Sequence, residues 1–167
     1  SLLKNAEIYD TMKNHSEDFG ISVKGLEFDF TKIIKRSRDI SDRITKNVEM
    51  LVKKYKAERF HGYGKLVSKN KIEIFDNDGK KTETITADKI IISTGARPRI
   101  VPSIPVDNKM IITSTEAMNL PEQPKELIVV GAGAIGIEFA YFYSVLGTKV
   151  TVIEMLDRIL PIEDKEV

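Results

Sequence analysis

The chain has 167 residues, of which 41% are hydrophobic and 31% are charged, and its formal net charge is +1. This composition allows one or two domains with a buried core and argues against a disordered chain. The balanced charge argues against bulk attraction to nucleic acid or to an anionic membrane. Cysteine is absent, so these residues contain no disulfide, thiolate metal site or thiol nucleophile. The two histidines, His15 and His61, lack metal-ligand spacing, and no apolar run is long enough to span a bilayer.

Two helices are predicted in the first third of the chain. Residues 1–15 place apolar side chains on one face, which is typical of an amphipathic helix. Asp29 is suited to cap a second helix that runs to about Tyr55. A basic face on this second helix is formed by Lys32, Lys35, Arg36, Arg38, Arg43, Lys46, Lys53 and Lys54. Both a nucleic-acid patch and a solvated face fit this pattern, and the balanced overall charge favours the solvated face.

Strand patterns replace the helical pattern from Ala57 onward. Residues 58–68, 71–75 and 81–86 alternate between apolar and polar side chains, and residues 76–79 read as a turn. These features predict an antiparallel β-meander.

A buried strand and a long connection are predicted next. Residues 90–92 are three consecutive isoleucines, a run typical of a strand buried on both faces. Prolines then mark an extended connection over residues 97–124. Within it, Ser114 or Thr115 is suited to cap a short helix that ends near Asn119.

A glycine-rich turn follows the apolar strand at residues 127–130. Gly131, Gly133 and Gly136 have the spacing G-x-G-x-x-G. The first glycine allows a tight turn, the second lets a diphosphate approach the backbone, and the third lets helix and strand pack closely. The N terminus of the following helix offers N–H groups and a partial positive charge to phosphates. The alternative is a βαβ unit whose glycines serve packing only.

The residues after the glycine turn complete this pattern. A helical pattern ends at Gly147, and a second strand covers residues 149–153. Glu154 ends that strand, where an acid is placed to bind the 2′-hydroxyl of a ribose. Because its charge would repel a 2′-phosphate, NAD is favoured over NADP.

The order of these parts resembles the flavoprotein disulfide reductases, which are the class I pyridine nucleotide-disulfide oxidoreductases, and most closely their dihydrolipoyl dehydrogenase type. The resemblance covers essentially the whole chain. It is carried by residues 1–5, by Gly-Tyr-Gly-Lys at 62–65, by residues 90–98 with Thr-Gly-Ala, and by residues 131–161. The family implies an α/β fold of the FAD/NAD(P)-binding, three-layer Rossmann-like type, with an antiparallel β-meander between two dinucleotide-binding units.

The resemblance also implies a domain order and a chemistry. Residues 1–96 would be the C-terminal part of an FAD-binding domain, residues 97–124 a crossover linker, and residues 125–167 the first βαβ unit of an NAD-binding domain. In relatives, dihydrolipoamide reduces a cysteine pair, FAD takes the electrons, and NAD⁺ receives a hydride. The cysteines and a catalytic His–Glu pair lie outside this chain, so no catalytic residue is assigned in it. The alternatives are a mercuric or glutathione-type reductase, or a non-catalytic dinucleotide-binding module.

Cofactor contacts are carried over from the family by position. Gly64, Thr94, Gly95 and Ala96 match positions that touch FAD, with a tight turn at a domain edge as the structural alternative. In relatives, the acid that matches Glu138 pairs with a lysine close to the flavin, although an acid near a helix start is also favoured by the dipole. The cofactor-binding residues expected in the NAD-binding unit are Gly131, Ala132, Gly133, Ala134, Ile135, Gly136, Ile137, Glu138 and Glu154.

The remaining expectations concern the context of the chain. We expect an internal piece of a longer protein, without dehydrogenase activity and with little affinity for FAD by itself. The resemblance implies a homodimer that acts on dihydrolipoamide carried by a lipoyl protein of a 2-oxo acid dehydrogenase or glycine cleavage complex. It is compatible with the bacterial cytoplasm or the mitochondrial matrix, and nucleic acid and membrane are not expected as partners.

Overall fold

The computed structural model describes residues 1–166, and these form two compact units. One unit contains Ser1–Asp42 together with the chain from Pro98 onward, and the other contains Arg43–Arg97. The helices are α1 (Leu2–Asn14), α2 (Phe30–Lys54), α3 (Ser114–Ala117) and α4 (Ala134–Val145), with a 3-10 turn at Ser16–Phe19. The strands are β1 (Tyr63–Ser68), β2 (Lys71–Phe75), β3 (Lys81–Thr86), β4 (Glu126–Val130) and β5 (Lys149–Ile153). Within the described residues, no helix combines the length and the apolar character needed to cross a membrane.

The core of the first unit lies where α1, the start of α2 and α4 meet. Its buried members are Ala6, Phe30, Ile34, Phe142, Tyr143 and Leu146. Each large apolar side chain removed from water contributes about 1.5–3 kcal/mol. This cluster therefore fixes α4, the helix that follows the glycine turn.

Local capping explains where α2 begins. The Asp29 carboxylate accepts hydrogen bonds from the Thr31 hydroxyl at 2.6 Å and from the Lys32 N–H at 3.0 Å. These bonds lower the pKa of Asp29 to about 2, the Thr31 bond contributing most. The cap predicted at Asp29 is confirmed.

The predicted βαβ unit is present and forms a parallel strand pair. β4 pairs with β5 in the register Leu127↔Val150 and Val129↔Val152, and α4 connects the two strands. After α4, Gly147 has φ +98°, a conformation in which an L side chain is strained. The helix stop predicted at Gly147 is therefore confirmed.

A polar network closes the end of this unit opposite the glycine turn. The Gln123 side chain donates to the Leu146 carbonyl at 2.9 Å and to the Thr148 hydroxyl at 3.1 Å. The Thr148 hydroxyl, which is buried, donates in turn to the Pro124 carbonyl at 2.7 Å. The chain entering β4 is thus tied to the loop between α4 and β5.

The second unit contains the predicted antiparallel meander, with strand order β1-β2-β3. The turn before β3 is held by Asp76, whose carboxylate accepts from the N–H groups of Asp78 and Lys80. The first strand is shorter than predicted, because it begins at Tyr63 rather than at residue 58. Tyr63 pairs with Phe75, the last residue of β2, so the residues before Tyr63 have no partner on β2.

The strand predicted at residues 90–92 is absent from the structure. The backbone there is irregular, and the side chains of Ile91 and Ile92 are 89% and 72% exposed. Within residues 1–166, neither sheet includes a strand paired with this segment. An apolar run forms a strand only when a neighbour completes its hydrogen bonds, and the run itself does not supply one.

The cap of α3 also differs from the prediction. Thr113, rather than Ser114 or Thr115, is the N-cap. Its hydroxyl accepts from the Thr115 N–H, and the Glu116 carboxylate accepts from the Thr113 N–H at 2.8 Å. This is a capping box, and its T-x-x-E pattern is visible in the sequence.

Candidate functional site

The glycine turn begins at Gly131, directly beside the end of β5. Gly131 has φ +102°, a region that favours glycine, and its N–H donates to the Ile153 carbonyl at 2.8 Å. This bond continues the parallel ladder by one residue. The turn is thereby placed at the carboxyl ends of both strands, where ligands bind in open α/β sheets.

Gly136 lets α4 pack against the turn. A Cβ atom at this position would lie 2.0 Å from the Gly131 carbonyl oxygen and 3.3 Å from Cγ1 of Val129. No side chain fits at these distances, so the close packing predicted for the third glycine is present.

Gly133 faces open space instead. A Cβ atom there would meet no atom within 4 Å. Gly133 is the N-cap residue of α4, and no side chain caps this helix start. The first N–H groups of a helix have no partner within the helix, so they are available to an anion. The geometry of the turn fits a diphosphate.

Glu154 lies against this turn rather than in open solvent. Its Oε2 accepts from the Ala132 N–H at 2.7 Å, and its Oε1 accepts from the N–H groups of Met155 at 2.7 Å and Leu156 at 2.9 Å. The bonds from Leu156, Ala132 and Met155 hold the pKa of this carboxyl below its usual range. Because the carboxylate is charged and lies beside the glycine turn, it can accept a hydrogen bond from a ribose 2′-hydroxyl and would repel a 2′-phosphate on that ribose.

The sequence did not reveal a second contact to the turn. The Leu160 N–H donates to the Ala132 carbonyl oxygen at 2.8 Å, and Ala132 has no exposed surface. Leu160 follows β5 in an irregular segment, where no periodic pattern indicates a contact. Ala132 itself, which was predicted to bind cofactor, is thus a buried residue whose peptide groups are bound on both sides.

The other predicted residues of α4 differ in their surroundings. Ala134 and Ile135 are exposed at the helix start, Ile135 by 61%, and Ile137 is half-buried. Glu138 is exposed and lines a cavity of about 340 Å³. Arg38 lines the same cavity and has a buried Nε atom without a hydrogen-bond partner. The cavity therefore offers both an anion and a cation to a polar group.

The predicted FAD contacts all lie in the second unit. Gly64 is a β1 residue opposite Ile74, and its Cβ position would lie 3.4 Å from a methyl group of Ile72. Thr94, Gly95 and Ala96 are consecutive in an exposed, irregular segment, and Gly95 has φ +75°. Their contact with a cofactor stays a prediction.

Comparisons with known proteins agree with this fold. The family model for pyridine nucleotide-disulphide oxidoreductases matches residues 2–167. Dihydrolipoyl dehydrogenase of Chlorobaculum parvum is 44% identical over 167 residues, and that of Bacillus subtilis is 37% identical over 174 residues. Both alignments cover the whole of this chain, but only 35% and 36% of the relatives.

A solved structure has the same architecture. LpdA of Mycobacterium tuberculosis matches with a TM-score of 0.84 at 26% identity, over 99% of this chain and 36% of that one. The chain thus spans about a third of the length of its relatives, and the predicted α/β fold class is confirmed. On these matches, the chain belongs to the pyridine nucleotide-disulphide oxidoreductase family.

Proposed function

We propose that this chain is part of an NAD-dependent dihydrolipoyl dehydrogenase, a flavoprotein that oxidises dihydrolipoamide to lipoamide. The single observation that supports this most is the glycine turn: Gly136 packs against Gly131, the space at Gly133 is open, and a carboxylate lies beside them. The relatives named above carry the same activity in their names. Membership of the family implies the use of a flavin and a nicotinamide dinucleotide.

The residues from Gly131 to Glu154 would hold the adenosine diphosphate half of NAD. The open N terminus of α4 would bind the diphosphate, and Gly133 leaves room for it. Glu154 would accept a hydrogen bond from the ribose. When bound, NAD⁺ supplies the hydride acceptor of the reaction.

The residues before the connection would contact FAD. We propose the domain order of the family, with residues 1–96 in the FAD-binding domain, 97–124 as the crossover and 125–167 opening the NAD-binding domain. Gly64 and the Thr94–Ala96 segment carry small side chains, which let a cofactor approach the backbone. Glu138 would lie near the flavin. The redox cysteines and the His–Glu pair would come from the rest of the protein.

The partner of this proposed enzyme is a lipoyl-carrying protein of a 2-oxo acid dehydrogenase or glycine cleavage complex. The support is the shared name of the relatives, dihydrolipoyl dehydrogenase, since dihydrolipoamide is carried by such proteins. A homodimer is proposed on the same ground.

The test uses the longer protein that contains this chain. We expect it to carry bound flavin, visible in its absorbance spectrum, and to reduce NAD⁺ when dihydrolipoamide is added. Activity only with mercuric ion, or only with glutathione disulfide and NADPH, would indicate another reductase of the family. A purified protein without flavin and without any of these activities would indicate a dinucleotide-binding module.

The choice between NAD and NADP is tested at Glu154. We expect Glu154→Arg to raise the NADP-to-NAD ratio of kcat/KM at least about tenfold, because the ribose acceptor is lost and a phosphate partner is gained. Met155→Leu is the control, since the neighbouring Met155 side chain is 94% exposed. An unchanged ratio in Glu154→Arg would contradict the proposed contact.

A further inference from the structure

The middle of the glycine turn is held by the segment that follows β5. Ala132 donates its N–H to Glu154 Oε2 at 2.7 Å, and its carbonyl oxygen accepts from the Leu160 N–H at 2.8 Å. Ala132 is completely buried. Both backbone polar groups of Ala132, the residue between the first two glycines, are therefore bound by one stretch of chain, residues 154–160, which we name the clamp segment.

The clamp segment is itself held in place. Glu154 Oε1 accepts from the N–H groups of Met155 and Leu156, which closes a tight turn after β5. The Arg158 guanidinium donates to the Leu160 carbonyl at 3.2 Å and also to the Glu163 carbonyl. Leu160 has φ +48°, which is uncommon for a residue other than glycine. Since its N–H and its carbonyl are both bound, the surrounding bonds keep Leu160 in this conformation.

We propose that the clamp segment sets the conformation of the glycine turn before a dinucleotide binds, with Glu154 and Arg158 as positioning residues. This inference rests on the proposed function for its meaning, but it adds a role that is separate from any contact with the ribose. Glycine loses more conformational freedom than other residues when it is ordered. A turn that is already ordered has less freedom to lose on binding, and its affinity for the ligand is correspondingly higher.

This role requires a carboxylate at position 154, because both of its oxygen atoms accept hydrogen bonds. An amide has a single acceptor oxygen, so Glu154→Gln cannot serve Ala132 on one side and Met155 and Leu156 on the other. Arg158→Met removes the guanidinium donor to the Leu160 and Glu163 carbonyls and leaves Glu154 intact, while the Glu163 N–H still donates to the Leu160 carbonyl at 3.0 Å. Arg158→Lys keeps one donor and is expected to restore part of the effect.

The first test is amide hydrogen exchange on the full-length protein without NAD. We expect the peptide that covers residues 131–136 to exchange about tenfold faster in Glu154→Gln, the factor for loss of about one hydrogen bond to a charged group. Arg158→Met should show a smaller increase, and Met155→Leu, the matched control, none. Exchange at wild-type rates in both variants would overturn the proposal. This measurement is independent of cofactor binding, so it decides on the clamp even if the proposed function fails.

The second test compares NAD⁺ with an analogue that lacks the adenosine 2′-hydroxyl. If Glu154 bound only the sugar, Glu154→Gln would bind the deoxy analogue as tightly as the wild type does, and the proposal would be wrong. The clamp predicts that Glu154→Gln loses affinity for both ligands, by about tenfold for the analogue.

Arg158→Met should raise KM for NAD⁺ while kcat and flavin content stay unchanged, and Arg158→Lys should recover part of the loss. A merely structural role of Arg158 would lower flavin content and the unfolding midpoint instead, and that result would also overturn the proposal.

Discussion

The parallel pair β4–β5 and the segment at residues 90–92 are both rich in β-branched apolar side chains, but their surroundings differ. Leu127 and Val150 lie opposite each other in the pair and are half-buried beside the core. Ile91, by contrast, is 89% exposed and belongs to an irregular backbone. The first region has its covering helix and its partner strand in the 23 residues that follow β4, whereas within residues 1–166 no strand pairs with the second. A β-branched run becomes a strand where a partner is within reach.

The first prediction concerns Gly136, the most tightly packed glycine of the β4–α4–β5 region. Gly136→Ala should lower the free energy of unfolding of the longer protein by about 3 kcal/mol or more, because the new methyl group would meet the Gly131 carbonyl. Gly133→Ala is the matched control, since its methyl group meets no atom. It should change stability by less than about 1 kcal/mol while weakening NAD binding. Urea unfolding with NAD titration checks both, and equal stability of the two variants would contradict the packing argument.

The second prediction removes a buried polar contact beneath α4. The Tyr143 hydroxyl donates to the Ala117 carbonyl at 2.7 Å, and Tyr143→Phe should cost about 1–3 kcal/mol because that carbonyl loses its partner. Burial also raises the pKa of Tyr143 from 10.0 to about 12.

The pH dependence of this tyrosine has a definite sign. The unfolded phenol ionises from about pH 10, but the folded phenol keeps its proton up to about pH 12, so stability falls as the pH rises through this window. Unfolding free energies of wild type and Tyr143→Phe should therefore converge between pH 10 and 12. Parallel curves would show that the phenol ionises equally in both states.

The third prediction concerns residues 90–92, which have no partner strand within residues 1–166. If the rest of the protein supplies a neighbouring strand, Ile91→Val should cost the longer protein about 1 kcal/mol, the usual loss for one buried methyl group. In the 167-residue chain the same change should have almost no effect, because Ile91 is exposed. A null result in the longer protein would show that residues 90–92 do not become a buried strand.

The smallest effect on stability is expected at the N-terminal cap of α2, which involves only neighbouring residues. Asp29→Ala removes the cap of α2 and should lower the unfolding midpoint slightly, whereas Asp29→Asn keeps a capping acceptor and should not. The pKa of Asp29 is lowered from 3.8 to about 2, so its contribution is present above about pH 4 and is lost as the pH falls toward 2. Wild type should lose this contribution in an acid titration, and Asp29→Asn should not.

Features that depend on near neighbours were predictable from the sequence. The cap at Asp29, the turn at Asp76, the glycine turn and the stop at Gly147 each follow from local sterics and hydrogen bonding. The T-x-x-E pattern at Thr113 was equally local and was missed, although its residues are plain in the sequence.

Contacts between residues that are far apart in the sequence were not predictable in the same way. The contact from Leu160 to Ala132 joins residues 28 positions apart, and its donor lies in a segment without periodicity. The Glu154 bond to Ala132 falls between these cases. The sequence identifies the acid by its charge and position, but its contact with the Ala132 N–H depends on how the folded chain brings the end of β5 against the glycine turn.

The network at Gln123, Thr148 and Pro124 has a practical consequence for engineering. It holds together the end of the βαβ unit opposite the glycine turn. A peptide inserted there would break the hydrogen bonds that join the buried Thr148 hydroxyl and the Leu146 and Pro124 carbonyls. The hairpin tip at residues 76–79 is held only by local hydrogen bonds of the Asp76 carboxylate and of the backbone, and a dye or affinity label belongs there.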